Sequence, residues 1–258
     1  MTTADSPVPG LKFWPYPFWI AHRGAGKLAP ENTLAAFRRG AEHGYSMFEC
    51  DAKLSADGVV FLMHDATLER TTSGRGIAGE INWHTLSQFD AGAWHSRHYA
   101  GEPLPTLQSL ARFCSANDYL LNIEIKPTPG TEEQTGEAVA IEVARLWAKA
   151  DVPPLLTSFS PDALKAAQKA APHLSRGLLL DHLWDGWLAK ACDLQCVAVV
   201  CKYALWNMNN VTQVHEAGMR CISYTVNDRG AADELLALGT DGIITDRVDL
   251  FSPALSHV

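Results

Sequence analysis

No two of the six cysteines stand in C-x-x-C spacing, so nothing in the chain reads as a thiol redox pair or a thiolate zinc knuckle. Cys50, Cys114, Cys192, Cys196, Cys201 and Cys221 lie mostly within apolar runs, where free cysteine behaves as a small hydrophobe. That usage predicts a reducing compartment and no zinc site. No apolar stretch reaches the length of a membrane span. The N-terminus has no basic start and no continuous apolar core, and its prolines break any helix, which excludes a signal peptide and predicts a cytoplasmic protein. Positive charge is in deficit, 21 Lys and Arg against 29 Asp and Glu, a formal net charge of −8. Nucleic acid and anionic membrane are therefore poor partners, although a local cation site can still receive a small anion. The glycine-rich dinucleotide loop, internal repeats and low-complexity tracts are also missing.

What is present alternates. Strands are predicted at 18–22, 47–54, 120–126, 155–159, 177–180, 197–201, 221–226 and 242–245, with helical segments between most of them. The clearest helices are 31–43, 132–150, one opening on Ser160-Pro161, and 229–238 ending at Gly239; Thr106 caps another. Asp57-Gly58 makes a hairpin turn that returns a ninth strand, 59–63, toward His64. Eight β-α units within 258 residues predict one TIM (β/α)8 barrel, a single α/β domain, with an inserted subdomain at about 65–105 where the rhythm breaks. Residues 1–17 are read as wrapping the outside of the barrel bottom. The insert's Trp83, Trp94 and Tyr99 leave open a cover over the barrel mouth, a closing flap or a contact with a second copy.

Four polar clusters end apolar runs: His22-Arg23-Gly24, Glu49-Cys50-Asp51, His64-Asp65 and Glu124-Ile125-Lys126. Because side chains alternate along a strand, Glu49 shares a face with Asp51, and Glu124 with Lys126. One acid at a strand end is commonly a salt-bridged residue. Two inward i, i+2 pairs on different strands, at the barrel end where chemistry collects, are harder to explain structurally. Three acids on one inner face call for a cation, and an all-oxygen set favours Mg²⁺ or Ca²⁺ without choosing between them. His22 and His64 are candidate acid and base because each adjoins the acids. His43, His84, His95, His98, His173, His182, His215 and His257 receive a structural reading. Arg23 and Lys126 either grip a phosphate or neutralise the acids, and the two uses are compatible.

The segments HRGAGKLAPENTLAAF, FECDAKLSADGVVFLMHDATLERTTSGRG, GEPLPTL, NIEIKP, TSFSPDAL, YTVND and DGIITDRVDL, in this order, resemble the glycerophosphodiester phosphodiesterase family over about residues 20 to 250. The resemblance implies a TIM barrel with an insertion after the second strand. It implies metal-dependent hydrolysis of glycerophosphodiesters, such as glycerophosphocholine or glycerophosphoethanolamine, to glycerol 3-phosphate and an alcohol. His22 and His64 would be the acid/base pair, Glu49, Asp51 and Glu124 the metal ligands, and Arg23 and Lys126 the phosphate contacts. Tyr224 stands where the family usually has Trp, so its substrate-packing role carries over less directly. Asn32, Asp65 and Asp246 match family positions as structural support. The rivals are a phospholipase D-like or lysophospholipid phosphodiesterase on the same barrel, and a non-catalytic phosphodiester-binding protein.

Overall fold

The structure is a computed structural model and describes residues 14–253. Eight parallel strands close into a ring among these residues: β1 (Trp19–Ala21), β2 (Met47–Leu54), β4 (Leu120–Ile125), β5 (Leu155–Ser158), β6 (Arg176–Leu180), β7 (Ala198–Lys202), β8 (Arg220–Tyr224) and β9 (Gly242–Thr245). Closure comes from β1 pairing with both β2 and β9. β3 (Val60–Leu62) lies outside the ring, antiparallel to the end of β2, as the Asp57-Gly58 turn requires. The helices are α1 (Leu34–Glu42), α2 (Trp83–Leu86), α3 (Leu107–Asn117), α4 (Glu132–Leu146), α5 (Pro161–Ala170), α6 (Trp187–Asp193), α7 (Met208–Glu216) and α8 (Arg229–Leu238).

Local chemistry sets the helix ends. Thr33, Thr106, Ser160, Asn207 and Asp228 each accept a backbone N–H of the first turn, and Pro161 opens α5. Two helices are shorter than their periodicity predicts. α1 begins at Leu34 because Asn32 is held at φ 59° and Thr33 is the cap. α4 ends at Leu146, where Trp147 turns into the core and Pro153-Pro154 prevent further helix.

Inward positions of the strands fill the barrel with Ile20, Met47, Leu155, Leu179, Ala198, Val200, Ile222 and Ile244. Trp14 and Tyr16 pack against this same cluster, and the Tyr16 hydroxyl donates to the Pro153 carbonyl. The segment at 14–17 therefore packs its two aromatic rings against the barrel's interior cluster instead of wrapping its outside. The rest of that predicted wrap, residues 1–13, lies outside the described residues. The chain between β3 and α3 holds α2 and two 3-10 turns around an apolar cluster of Met63, Leu68, Ala78, Leu86, Ala91 and Leu104 with Phe61 of β3. Trp83 joins that cluster, whereas Trp94 stays exposed and Tyr99 packs toward the main core.

Candidate active site

The parallel register places Asp51 opposite Glu124, so the inward acids of β2 and β4 meet at the top of the barrel. Oxygens of Glu49, Asp51 and Glu124 lie within 4.8 Å of one another, and all three residues are buried. Burial, then the Asp51 and Glu124 charges, hold the Glu49 carboxyl well above its ordinary range. Burial and the Asp51 charge push Glu124 up to about 7. Burial would also raise Asp51, but Arg23, His64, Lys126 and the Asn32 amide outweigh it and bring it to about 2. Asp51 Oδ1 is buried without a hydrogen-bond partner. A hard divalent cation fits such an oxygen cluster: it would relieve the repulsion that raises Glu49 and Glu124 and give Asp51 Oδ1 a partner.

The loop between β1 and α1 is folded tightly around these acids. Arg23 takes φ 50°, and its N–H donates to Glu49 Oε2 at 3.0 Å. Asn32 donates to Asp51 Oδ2 at 2.7 Å and accepts the Asp51 N–H at 3.1 Å, so one amide locks both groups of Asp51. The Arg23 guanidinium reaches Asp51 Oδ2 at 3.3 Å and donates to Glu31 Oε1 at 2.8 Å. Lys126 donates to Glu124 Oε1 at 2.8 Å and lies 4.0 Å from Asp51 Oδ1. Lys53, buried on the same face of β2, donates to the Lys126 carbonyl, and burial lowers its ammonium to about 8.

Each candidate histidine rests on a carboxylate. His22 Nδ1 lies 2.6 Å from Asp246 Oδ1, and Asn227 holds the other oxygen of Asp246. His64 Nδ1 lies 2.6 Å from Asp65 Oδ1. Both aspartates are held below the ordinary carboxylate range, Asp246 at about 2, so they accept and each Nδ1 carries the proton. With Nδ1 so engaged, each Nε2 is left for the cavity that both rings line; the one on His22 lies 3.8 Å from Glu49. Burial lowers the His64 imidazole below its usual value.

One cavity at the barrel mouth is lined by His22, Arg23, Glu49, His64, Glu124, Lys126 and Tyr224, with Asp51 just beneath. The sequence motifs thus converge on a single place. Asn122, Thr157 and Phe159 also line it, and these were missed. Alternation held the signal for Asn122, which stands two residues before Glu124. Phe159 lies edge-on to Tyr224, with the Lys126 ammonium 5.4 Å from its ring. The Tyr224 hydroxyl donates to the Leu180 carbonyl, so the ring is held by its far end. Glu31 and Arg70, also missed, flank the cavity beside His64 and Arg23.

A second trio, His215, Cys221 and Asp241, gathers at the opposite end of the barrel. Asp241 there accepts from His215, Arg220 and the Cys221 N–H, an arrangement that ties strand starts together. Of the remaining histidines, His182 pairs with Asp181 at the surface, His95 meets the Lys27 carbonyl, and His257 lies outside the described residues. All six cysteines are free, five of them buried. No described helix is long and apolar enough to cross a membrane.

The chain is similar to a glycerophosphodiester phosphodiesterase of Caldanaerobacter subterraneus subsp. tengcongensis, with 33% identity covering 88% of this chain and 93% of that one. It is 28% identical to a glycerophosphodiester phosphodiesterase of Bacillus subtilis, over 90% of this chain and 84% of the relative. Among solved structures, an Oleispira antarctica phosphodiesterase in complex with the product sn-glycerol-3-phosphate superposes with a TM-score of 0.86 and 31% identity, covering 93% and 96% of the two chains. The profile of the glycerophosphoryl diester phosphodiesterase family matches residues 22–250. With that profile spanning most of the chain and a relative 33% identical over nearly its whole length, this chain belongs to the glycerophosphoryl diester phosphodiesterase family.

Proposed function

We propose that this protein hydrolyses glycerophosphodiesters, such as glycerophosphocholine and glycerophosphoethanolamine, to sn-glycerol 3-phosphate and the free alcohol. The observation that carries this reading is the pair of carboxylate-held imidazoles, His22–Asp246 and His64–Asp65, on one cavity with three buried acids and two cations. The Oleispira antarctica relative, solved with sn-glycerol-3-phosphate, supports the product half of the reaction.

Arg23 and Lys126 hold the phosphate through its non-bridging oxygens and stabilise the charge that builds during transfer. His64, whose lowered pKa keeps it uncharged near neutral pH, takes the proton of the attacking hydroxyl through Nε2. As that oxygen bonds to phosphorus, the bond to the alcohol breaks, and His22, taking part as the doubly protonated imidazolium, gives its Nε2 proton to the departing oxygen. The Tyr224 and Phe159 rings wall the glycerol carbons. A Mg²⁺ or Ca²⁺ ion held by Glu49, Asp51 and Glu124 would supply Lewis-acid polarisation of the phosphoryl group. The attacking hydroxyl is either water or a glycerol hydroxyl. A cyclic glycerol phosphate trapped by rapid quench identifies the second route.

The chain is read as one catalytic domain with residues 65–105 as its inserted cap. Its free, mostly buried cysteines fit a cytoplasmic enzyme. The test is release of glycerol 3-phosphate from glycerophosphocholine with Mg²⁺ or Ca²⁺, and again with chelator. Release that stops with chelator and returns with metal supports the reading. No release with either metal, together with cleavage of a lysophospholipid, would move the assignment to the lipid substrate.

A further inference from the structure

Arg70 belongs to the insert, yet its guanidinium is spent on two carboxylates that serve the barrel. Nε and Nη2 donate to Asp65 Oδ2 and Oδ1 at 2.6 and 3.0 Å. Nη1 and Nη2 donate to Glu31 Oε2 and Oε1 at 2.8 Å each. Asp65 is the carboxylate that holds His64, and Glu31 is the one that holds Arg23. The result is an unbroken line of alternating charge, Asp65–Arg70–Glu31–Arg23–Asp51, with the His64 imidazole hydrogen-bonded to its first member. Its members come from the β1–α1 loop, β2, the end of β3 and the insert.

The backbone under Arg70 is fixed. Leu68 is fully buried in the insert's apolar cluster, and its carbonyl accepts both the N–H and the hydroxyl of Thr72. Its N–H donates to the Gly76 carbonyl. An exposed ion pair on a loose chain would contribute little. A planar fork on a pinned turn, bidentate to two carboxylates, instead sets angles.

We infer that Arg70 is a positioning residue that couples the insert to the chemistry, aiming His64 through Asp65 and Arg23 through Glu31. Arg70 takes part of the charge of each carboxylate. Without it, Asp65 loses the partner that fixes its plane, so the His64 ring loses its orientation. Glu31 then turns its whole charge on Arg23 and weakens the hold on phosphate. The inference rests on the proposed reaction for its kinetic readout only.

The experiment compares wild type with Arg70→Met, Arg70→Lys, Asp65→Asn, Glu31→Gln and the double variants Arg70→Met/Asp65→Asn and Arg70→Met/Glu31→Gln. Melting temperature, kcat and KM are measured on glycerophosphocholine, and glycerol 3-phosphate binding by calorimetry. The ¹⁵N resonances of His64 report its ring without any need for turnover. Arg70→Met is expected to keep the melting temperature within a few degrees, lower kcat about 10- to 100-fold and weaken glycerol 3-phosphate binding. It should also shift the His64 resonances. Arg70→Lys should rescue little, because an ammonium cannot fork to both acids. Each double variant should lose no more of its own parameter than its more damaged single, kcat with Asp65→Asn and phosphate binding with Glu31→Gln. Kinetics within 2-fold of wild type, unmoved His64 resonances, or losses that multiply in the double variants would overturn the inference. A wild type that binds glycerol 3-phosphate but releases none would count against the hydrolase reading, while the binding and ¹⁵N data still judge Arg70.

Discussion

His22 and His64 are alike in residue type and in having an aspartate at Nδ1, but they stand in different surroundings. His22 has the Glu49 carboxylate 3.8 Å from Nε2, while burial, with Arg23 and Lys126, outweighs Asp51 and disfavours the charged form of His64. Replacing either with Ala is expected to cut turnover by about 10²–10⁴-fold while the far-ultraviolet circular dichroism stays native. Near-normal turnover in either variant removes that residue from the reaction. Burial is the main cause of the lowered His64 pKa, so its neutral form persists below the ordinary imidazole value of about 6.5. The acid limb of kcat/KM against pH should therefore fall below that value. An acid limb above it would mean that His64 is not the proton acceptor. Most of these residues were readable from the chain because strand alternation fixes direction: Glu49 with Asp51, and Glu124 with Lys126. Glu31 and Arg70 were not, because their contact spans 39 residues and exists only once the insert has folded over the barrel.

At the scale of the element, the β1–α1 loop decides whether the site forms. Gly26 sits at φ +55°, and a Cβ there would lie 2.2 Å from the Asp246 backbone. Gly26→Ala should push Asp246 away from His22, destabilise the fold by about 1–3 kcal/mol and lower kcat with it. Thermal melts and kinetics on the same preparation check this; an unchanged kcat would free Asp246 from any part in orienting His22. The Asp246 carboxyl lies at about 2 in the folded protein, below its unfolded value of about 4. Its stabilisation is therefore complete above about pH 4 and is lost as pH falls toward about 2. Asp246→Asn should flatten the loss of stability across that window in denaturant titrations, whereas a slope equal to wild type would place the acid sensitivity elsewhere. Element types were legible from periodicity and caps, and β2 and β9 match residue for residue. The end of α4 was not, since Leu146 and Trp147 continue the helical pattern and only the core decides that the ring turns inward.

For the molecule as a whole, three buried acids are a cost that the fold carries for the sake of the site. Glu49→Gln removes a carboxyl that burial disfavours, so the metal-free variant should melt higher than metal-free wild type. Adding Mg²⁺ or Ca²⁺ should raise the melting point of wild type and leave the variant almost unmoved. Equal metal shifts in both proteins would remove Glu49 from the ligand set. The insert also bears on the molecule's future. It looks like a detachable module, gathered on a small apolar cluster shared with β3. Yet the arginine it carries reaches the two acids that hold His64 and Arg23. A foreign insert grafted onto this barrel would need a matching guanidinium, or a redesign of both acids with it. One side chain thus ties the insert to the barrel rim, and a change on either side of it is felt on the other.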